Sequence, residues 1–586
     1  MIKVSDYIAK YLKEYGIKDM FIISGGGAMH LNDSFGKSGI KYYCAHNEQA
    51  AAIEAEGYAR LKQDLALVNI TTGPGGLNCL NGVFGQWTDS VPVLYISGQV
   101  KFTTCKASCP GIPLRQLGDQ EADIISVVKP LTKYAFMITD PYSIKYHLQK
   151  ALFLATQGRP GPVWLDVPIN IQAAQIDEKK LKGFKAPKKP KYNLKIEQVI
   201  KALNKAQRPL IIAGHGIRLA KAEKDFYALA KKLNIPVVST FNGFDMIANE
   251  SPLFAGRIGT VGQRAGNFAL QNADCILFLG TRNNMRQISY NWENFAKRAK
   301  KIIVDIDVAE LKKPTLKPDI AVNADLKEFL PALTKKAQKL KAENWLKWCR
   351  QRVKKYTPLS EFKIKPKEEP NPYHFTQLLT ELSGKTPVVA SNATACLALF
   401  QAGTAKEGKR MFLNSGDASM GYGLPAAIGA CAANGGKDVI CLEGDGSIMM
   451  NLQELQTVKT NKLPVKIFLF NNNGYISIKQ TQNNFFKRFT ACGTSSGVEM
   501  PDFMKVAQAF GIKAVRIKNA KNLAADIKKV LKIKGPVLCE VMLKEDYIFT
   551  PKLSSKILPD GSMVSPALED MFPFLPEEEL KENLIK

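Results

Sequence analysis

Two short segments carry the clearest chemistry in this sequence: Gly444-Asp445-Gly446-Ser447 and Asn471-Asn472-Asn473-Gly474. Glycines let backbone N–H groups approach a phosphate, and a helix N-terminus adds a favourable dipole. Gly444, Gly446 and Ser447 are therefore candidates for the phosphate side of a site. An aspartate in the same loop would repel a bare diphosphate, so Asp445 implies a cation between the two. The Asp445 carboxylate, the Asn472 side-chain oxygen and the Gly474 carbonyl are hard oxygen ligands. With diphosphate oxygens and a water they would complete the octahedron that Mg2+ prefers. A lone glycine turn belongs to any strand–helix–strand unit. The two segments together are far more specific.

These residues need particular elements to hold them. Residues 439–442 and 465–470 are apolar and partly β-branched, and they read as buried parallel strands. Between them Met449, Leu452, Leu455 and Val458 recur at helical spacing, which predicts one helix. Both segments then lie at the carboxyl ends of parallel strands, where open α/β sheets bind ligands. The same alternation runs through the chain. Further strands are expected at 20–23, 66–70, 91–96, 209–213, 236–239, 275–279, 301–306 and 387–390. The fold class is therefore α/β, with three doubly wound parallel sheets. The domains run over 1–178, 196–340 and 371–550, followed by a tail, 551–586. A Lys/Pro-rich stretch separates the first two, and a basic helix with a linker separates the last two.

Composition narrows the function classes. The net charge is +28 over 586 residues, but the excess lysines are spread widely and no nucleic-acid motif accompanies them. Nucleic acid is not expected as a partner. No apolar run approaches the ~20 residues of a membrane helix, so no membrane is expected. The N-terminus does not read as a signal peptide, and a cytoplasmic location is expected. The 11 cysteines form no C-x-x-C pair, which points to reduced thiols.

Glu48 opens a small-residue helix and, taken alone, reads as a first-turn acid suited to the helix dipole. The motifs around it change that reading. Ser24-Gly25-Gly26-Gly27-Ala28, His46-Asn47-Glu48-Gln49, Thr71-Thr72-Gly73-Pro74-Gly75 with Asn78, and Asn414 to Ala427 occur in this order. Together with the Asp445/Asn472 segments they resemble the acetolactate synthase (acetohydroxyacid synthase) group of thiamine diphosphate enzymes. The resemblance covers residues 1 to about 550.

The resemblance implies an enzyme, a transferase or lyase dependent on thiamine diphosphate and Mg2+. It would decarboxylate a 2-keto acid, expected to be pyruvate, and join the remaining unit to an acceptor carbonyl. Glu48 would bond the aminopyrimidine ring. Gly73 and Asn78 belong to the pyrimidine-side loop, Met420 would wedge between the cofactor rings, and the Ala418 carbonyl would receive the amino group. Gln120 and Arg286 would meet substrate. FAD is expected in the central unit, with Arg159, Gly214, Gly216, Arg282 and Asp325 at matching positions. A homodimer or homotetramer is implied, with sites between subunits.

The sequence also departs from the family pattern. Asp119 replaces an apolar aromatic, Ala418 replaces a glycine, and Gln480-Thr481-Gln482 lacks a tryptophan. Ser391-Asn392-Ala393 replaces a Gly-Gln-His type of loop. These changes keep open a lyase, transferase or C–C hydrolase acting on another acceptor, such as a keto-sugar or a cyclic dione. A plain 2-keto acid decarboxylase would carry a His-His pair, and residues 101–115 contain no histidine. A catalytically silent nucleotide-binding protein fits poorly with intact Glu48, Asp445 and Asn472.

Overall fold

Helix and strand alternate to build three six-stranded sheets, each parallel throughout. The computed structural model describes residues 1–557 and 560–585. The first sheet holds β1 (Asp19–Ile22), β2 (Lys41–Cys44), β3 (Ala66–Ile70), β4 (Val93–Gln99), β5 (Tyr134–Met137) and β6 (Val163–Pro168), in the order β2-β1-β3-β4-β6-β5. Its strands β3, β4 and β6 are buried along their whole length because helices cover both faces. Three helices of this unit bear on the site: α1 (Glu48–Lys62), α2 (Pro74–Asn78) and α3 (Leu80–Asp89).

The central sheet holds β7 (Pro209–Ala213), β8 (Val237–Ser239), β9 (Phe254–Arg257), β10 (Cys275–Leu279), β11 (Lys300–Asp305) and β12 (Ile320–Asn323). Its order, β9-β8-β7-β10-β11-β12, is that of dinucleotide-binding sheets. Helix α4 (Arg264–Asn272) flanks it. The third sheet holds β13 (Val388–Ala390), β14 (Met411–Leu413), β15 (Val439–Gly444), β16 (Val465–Asn471), β17 (Lys513–Ile517) and β18 (Val537–Met542), in the order β14-β13-β15-β16-β18-β17. This repeats the connectivity of the first sheet without visible sequence repetition. Helices α5 (Ala393–Ala402), α6 (Gly423–Ala433), α7 (Asp445–Ile448) and α8 (Glu454–Thr460) belong to it.

One apolar core joins the first unit to the third, with Tyr43, Ile53 and Trp164 on one side and Ile428, Val458 and Leu469 on the other. Helices α1 and α6 cross at glycines. A Cβ on Gly57 would lie 2.0 Å from the Ala426 carbonyl oxygen, and one on Gly429 would lie 1.7 Å from the Glu54 carbonyl oxygen. The central unit has its own core. Arg257 ties it to the third unit by donating to the Phe400 carbonyl at 2.5 Å and the Gly403 carbonyl at 2.6 Å, a cation set on the C-terminus of α5. Burial lowers this guanidinium to about 9.

One expectation needs correction. The helix predicted over 449–458 is broken: α7 ends at Ile448 and α8 starts at Glu454. Asn451 turns inward to donate to the Gly421 carbonyl at 2.8 Å, and Met449 and Met450 come to the surface. The tail packs on the central unit. Asn267 on α4 donates to the Leu568 carbonyl at 3.0 Å, and Asn272 donates to the Asn583 carbonyl at 2.8 Å. Residues 558, 559 and 586 of the expected tail lie outside the described residues. No described helix is long and apolar enough to cross a membrane.

Candidate active site

The Asp445 cluster forms where β15 and β16 end beside β13, at the point where strand order reverses. Asp445 is the first residue of α7 and is 3% exposed. Its carboxylate accepts N–H groups from Gly446 at 2.7 Å and from Asn472 and Gly474 at 3.0 Å each. Asn472 Nδ2 donates to the Gly474 carbonyl at 2.7 Å. Asp445, Asn472 and Gly474 are thus brought together, with the Asn472 side-chain amide turned to the Gly474 carbonyl. Burial pushes the Asp445 carboxyl up to about 6 despite its three N–H donors, so a cation there would offset a real desolvation cost. No group of three His, Cys, Asp or Glu suited to a metal occurs among the described residues, so such a cation would depend on amide and carbonyl oxygens. The residues present fit Mg2+.

The neighbouring glycines differ in what requires them. A Cβ on Gly446 would strike the Tyr475 ring at 2.2 Å, so packing alone demands glycine. A Cβ on Gly444 would meet only Ser447 Cβ, at 3.8 Å, which leaves an open face that fits a diphosphate. Ser447 Oγ accepts the Gly421 N–H at 2.8 Å and pairs with Ser391 Oγ at 2.7 Å. It therefore links the ends of β13 and β15 to the segment bearing Ala418 and Met420.

That segment is held from both sides. Asn392 Nδ2 donates to the Ala418 carbonyl at 3.3 Å, and Asn81 Nδ2 on α3 donates to Ser419 Oγ at 2.8 Å. Ala418 sits at φ 58°, a left-handed conformation that suits the glycine expected there and strains an alanine. Met420 is half-buried. Behind the segment lies a buried ion cluster that sequence reading missed. Arg60 binds Glu56 at 2.8 Å and Asp89 at 2.7 Å. Tyr422 Oη donates to Glu56 at 3.1 Å, and the Gly416 N–H donates to Asp89 at 3.4 Å.

Glu48 stands at the first position of α1, capped by Asn47, whose side chain accepts the Gln49 N–H at 2.8 Å. Its Oε2 accepts Asn78 Nδ2 at 2.9 Å. Gly73 caps α2 at φ 57°, and a Cβ there would lie 1.9 Å from the Gln120 carbonyl oxygen. Gly73, Asn78, Glu48 and Gln120 therefore share one corner of the first unit. Gln120 is itself left-handed, at φ 60°, with an exposed side chain. Among the described residues, no hydrogen bond joins Glu48 to the Ala418–Met420 segment or to Asp445.

The expected central-unit residues surround a cavity of about 480 Å3 at the switch point between β7 and β10. Arg159, Gly216, Arg282 and Asp325 line it. Gly214 does not: a Cβ there would lie 2.2 Å from the Gly280 carbonyl oxygen, so it serves the packing of two turns. Arg159 is bonded to Asp307 at 2.9 Å and to Glu310 at 2.7 Å. Asp325 caps a helix by accepting the Lys327 N–H at 2.9 Å. Arg286 is exposed, its guanidinium 5.3 Å from the Phe241 ring centre.

Residues 2–127, 196–333 and 393–541 match, in turn, the N-terminal TPP binding, central, and C-terminal TPP binding domains of thiamine pyrophosphate enzymes. Acetolactate synthase 1, chloroplastic, of Zea mays is 32% identical over 575 residues, 94% of this chain and 87% of its own. The acetolactate synthase large subunit of Lactococcus lactis is 31% identical over 565 residues, 95% of each chain. That of Cyanidium caldarium is 30% identical over 555 residues, covering 91% and 92%. The chain belongs to the thiamine diphosphate enzymes of the acetolactate synthase type.

Proposed function

We propose that this protein decarboxylates pyruvate with thiamine diphosphate and Mg2+ and joins the two-carbon remainder to a second 2-keto acid, giving an acetolactate-type product. The observation that carries the reading is the meeting of Asp445, Asn472 and Gly474 beside an open Gly444, in a chain related over 95% of its length to an acetolactate synthase large subunit. When bound, thiamine diphosphate supplies the carbanion-stabilising centre at which a 2-keto acid loses CO2.

The chain's own residues do the rest. Asp445, Asn472 and Gly474 hold the metal. Gly444, Gly446 and Ser447 receive the diphosphate. Glu48, oriented by Asn78, holds a proton at the aminopyrimidine ring nitrogen. Met420 and the Ala418 carbonyl fix the cofactor's shape. Gln120 and Arg286 receive substrate, Arg286 offering a bidentate fork to a carboxylate.

We further propose that FAD occupies the central cavity, supported by the strand order and by the arginines that line it. The working form is a homodimer or a dimer of dimers in the cytoplasm. Exposed Leu77, next to the Asn78 that bonds Glu48, and exposed Met449 and Met450, which follow the Asp445 segment, support a second copy completing the site.

The test is incubation of purified protein with thiamine diphosphate, Mg2+, FAD and pyruvate alone. Formation of 2-acetolactate, read by mass spectrometry, is the expected result. CO2 release without it would reject pyruvate as acceptor. A flavin absorption band in the purified protein is the matching test of the cavity.

A further inference from the structure

The first and third units meet at two acids. Glu54 on α1 and Glu454 at the start of α8 are both fully buried. Glu454 is well supplied with donors. Its Oε1 accepts the His46 N–H at 2.9 Å, and its Oε2 accepts Thr457 Oγ1 at 2.6 Å. Thr457 Oγ1 also lies 3.2 Å from the Cys44 carbonyl oxygen. Glu54 has no such support: neither of its oxygens meets an N–H or O–H donor, and its carboxyl faces Glu454.

An ionised Glu54 would be a partnerless buried charge beside a second carboxylate. Protonated, it becomes a donor, and Glu454 is the acceptor in front of it. On the same residue the Glu54 carbonyl lies hard against Gly429 of α6, so the backbone of α1 is fixed at this point. The other ionisable groups facing the pair are Cys44 on β2 and His46 in the turn that follows.

We propose that Glu54 and Glu454 share one proton, that this pair docks the first unit on the third, and that Glu454 positions Glu48 through the His46 backbone. His46 stands two residues before Glu48, with only the capping Asn47 between them. Glu454 is thus a positioning residue, and the proposal rests on the cofactor role given to Glu48 above. Burial and the facing carboxylate both push Glu54 well above the usual carboxylate range. The direction of the pH effect follows. The contact is sound while the proton is held and weakens as pH rises and the pair ionises.

The experiment uses the full chain as wild type, Glu54→Gln and Glu454→Gln. Glu54→Gln keeps a hydrogen bond to Glu454 with no proton to lose, whereas Glu454→Gln leaves the buried Glu54 to titrate and serves as the control that stays pH-dependent. Affinity for thiamine diphosphate with Mg2+ is measured by calorimetry at about pH 6.5 and about pH 9.5. Wild type is expected to bind at least about five-fold more weakly at the higher pH, and Glu54→Gln to change by less than about two-fold. A pH-independent wild type, or a Glu54→Gln variant that keeps the wild-type pH dependence, would overturn the proposal.

Melting of the ligand-free proteins is the second readout. The wild type should lose melting temperature relative to Glu54→Gln as pH rises, and a difference constant with pH overturns the shared proton. Should wild type bind no thiamine diphosphate at either pH, the cofactor reading fails, while the melting comparison still decides the pair. Glu454→Ala, which removes the acceptor of the His46 N–H, should lower kcat more than it raises KM. An unchanged kcat overturns the positioning role.

Discussion

Glu48 and Asp445 make separable demands on the chain. Glu48 touches its own unit only through Asn78 and the neighbouring loop, so its carboxylate contributes little to folding. Glu48→Gln is expected to cut turnover by at least about 100-fold with an unchanged melting temperature. Near-normal turnover would remove Glu48 from the reaction. Asp445→Ala removes the one carboxylate from its cluster, and Mg2+-dependent binding of thiamine diphosphate should vanish in calorimetry. A third residue tests the support beneath the pyrimidine-side loop. Asp166 is buried, accepts Ser97 Oγ at 2.6 Å and Gln99 Nε2 at 3.0 Å, and is pushed up to about 7 by desolvation. The folded state therefore holds this proton to higher pH than the unfolded chain does. Its stabilising effect is full in acid and is lost as pH rises toward about 7. Between about pH 5 and about pH 8, wild type should lose roughly 1–3 kcal/mol of stability relative to Asp166→Asn. Parallel denaturation curves for the two proteins would contradict this.

The crossing of α1 and α6 sets the distance between the first and third units. With a Cβ at Gly429 only 1.7 Å from the Glu54 carbonyl oxygen, Gly429→Ala must push two helices apart within a shared core. A loss of about 3 kcal/mol is expected in urea denaturation, whereas alanine at a helical glycine with free space around it gains roughly 0.5–1 kcal/mol. Elements of this kind divide into those the sequence announces and those it hides. The strands at 209–213 and 275–279 are legible to the residue, because a buried parallel strand is written as a continuous apolar run. The Asp445/Asn472 site is legible for a related reason: its residues sit at the ends of such runs, and local chain direction carries them together. The break between α7 and α8 is hidden because it depends on Asn451 reaching Gly421, thirty positions away. Gly214 reads as a ligand glycine and proves to be a packing glycine, since a turn does not state what lies against it. Glu54 and Glu56 left one faint signal, acids in the middle of a helix rich in alanine; Arg60 one turn on pairs with Glu56, but Tyr422 lies 366 positions off in another unit.

At the scale of the whole molecule, the two halves of the candidate site are carried by different units that already share a core within one chain. That packing uses α1 and α6, and no described hydrogen bond brings Glu48 to Met420 or Asp445. If a second copy completes each site, Glu48 of one chain serves Asp445 of the other. Two inactive variants then rescue each other. A dimer formed from one Glu48→Gln chain and one Asp445→Ala chain has one site carrying both lesions and one site carrying neither. Random re-pairing of equal amounts makes half of the dimers mixed, each with one working site of two. About a quarter of wild-type activity should therefore return on mixing, and it should appear at the rate at which subunits exchange. Sites built within single chains would leave every site carrying one lesion, and mixing would restore nothing. Sedimentation or light scattering on the same samples separates the two failures. Absence of rescue in a sample that remains dimeric and exchanges subunits rejects the shared site, whereas a monomer with full activity rejects the need for a second copy at all.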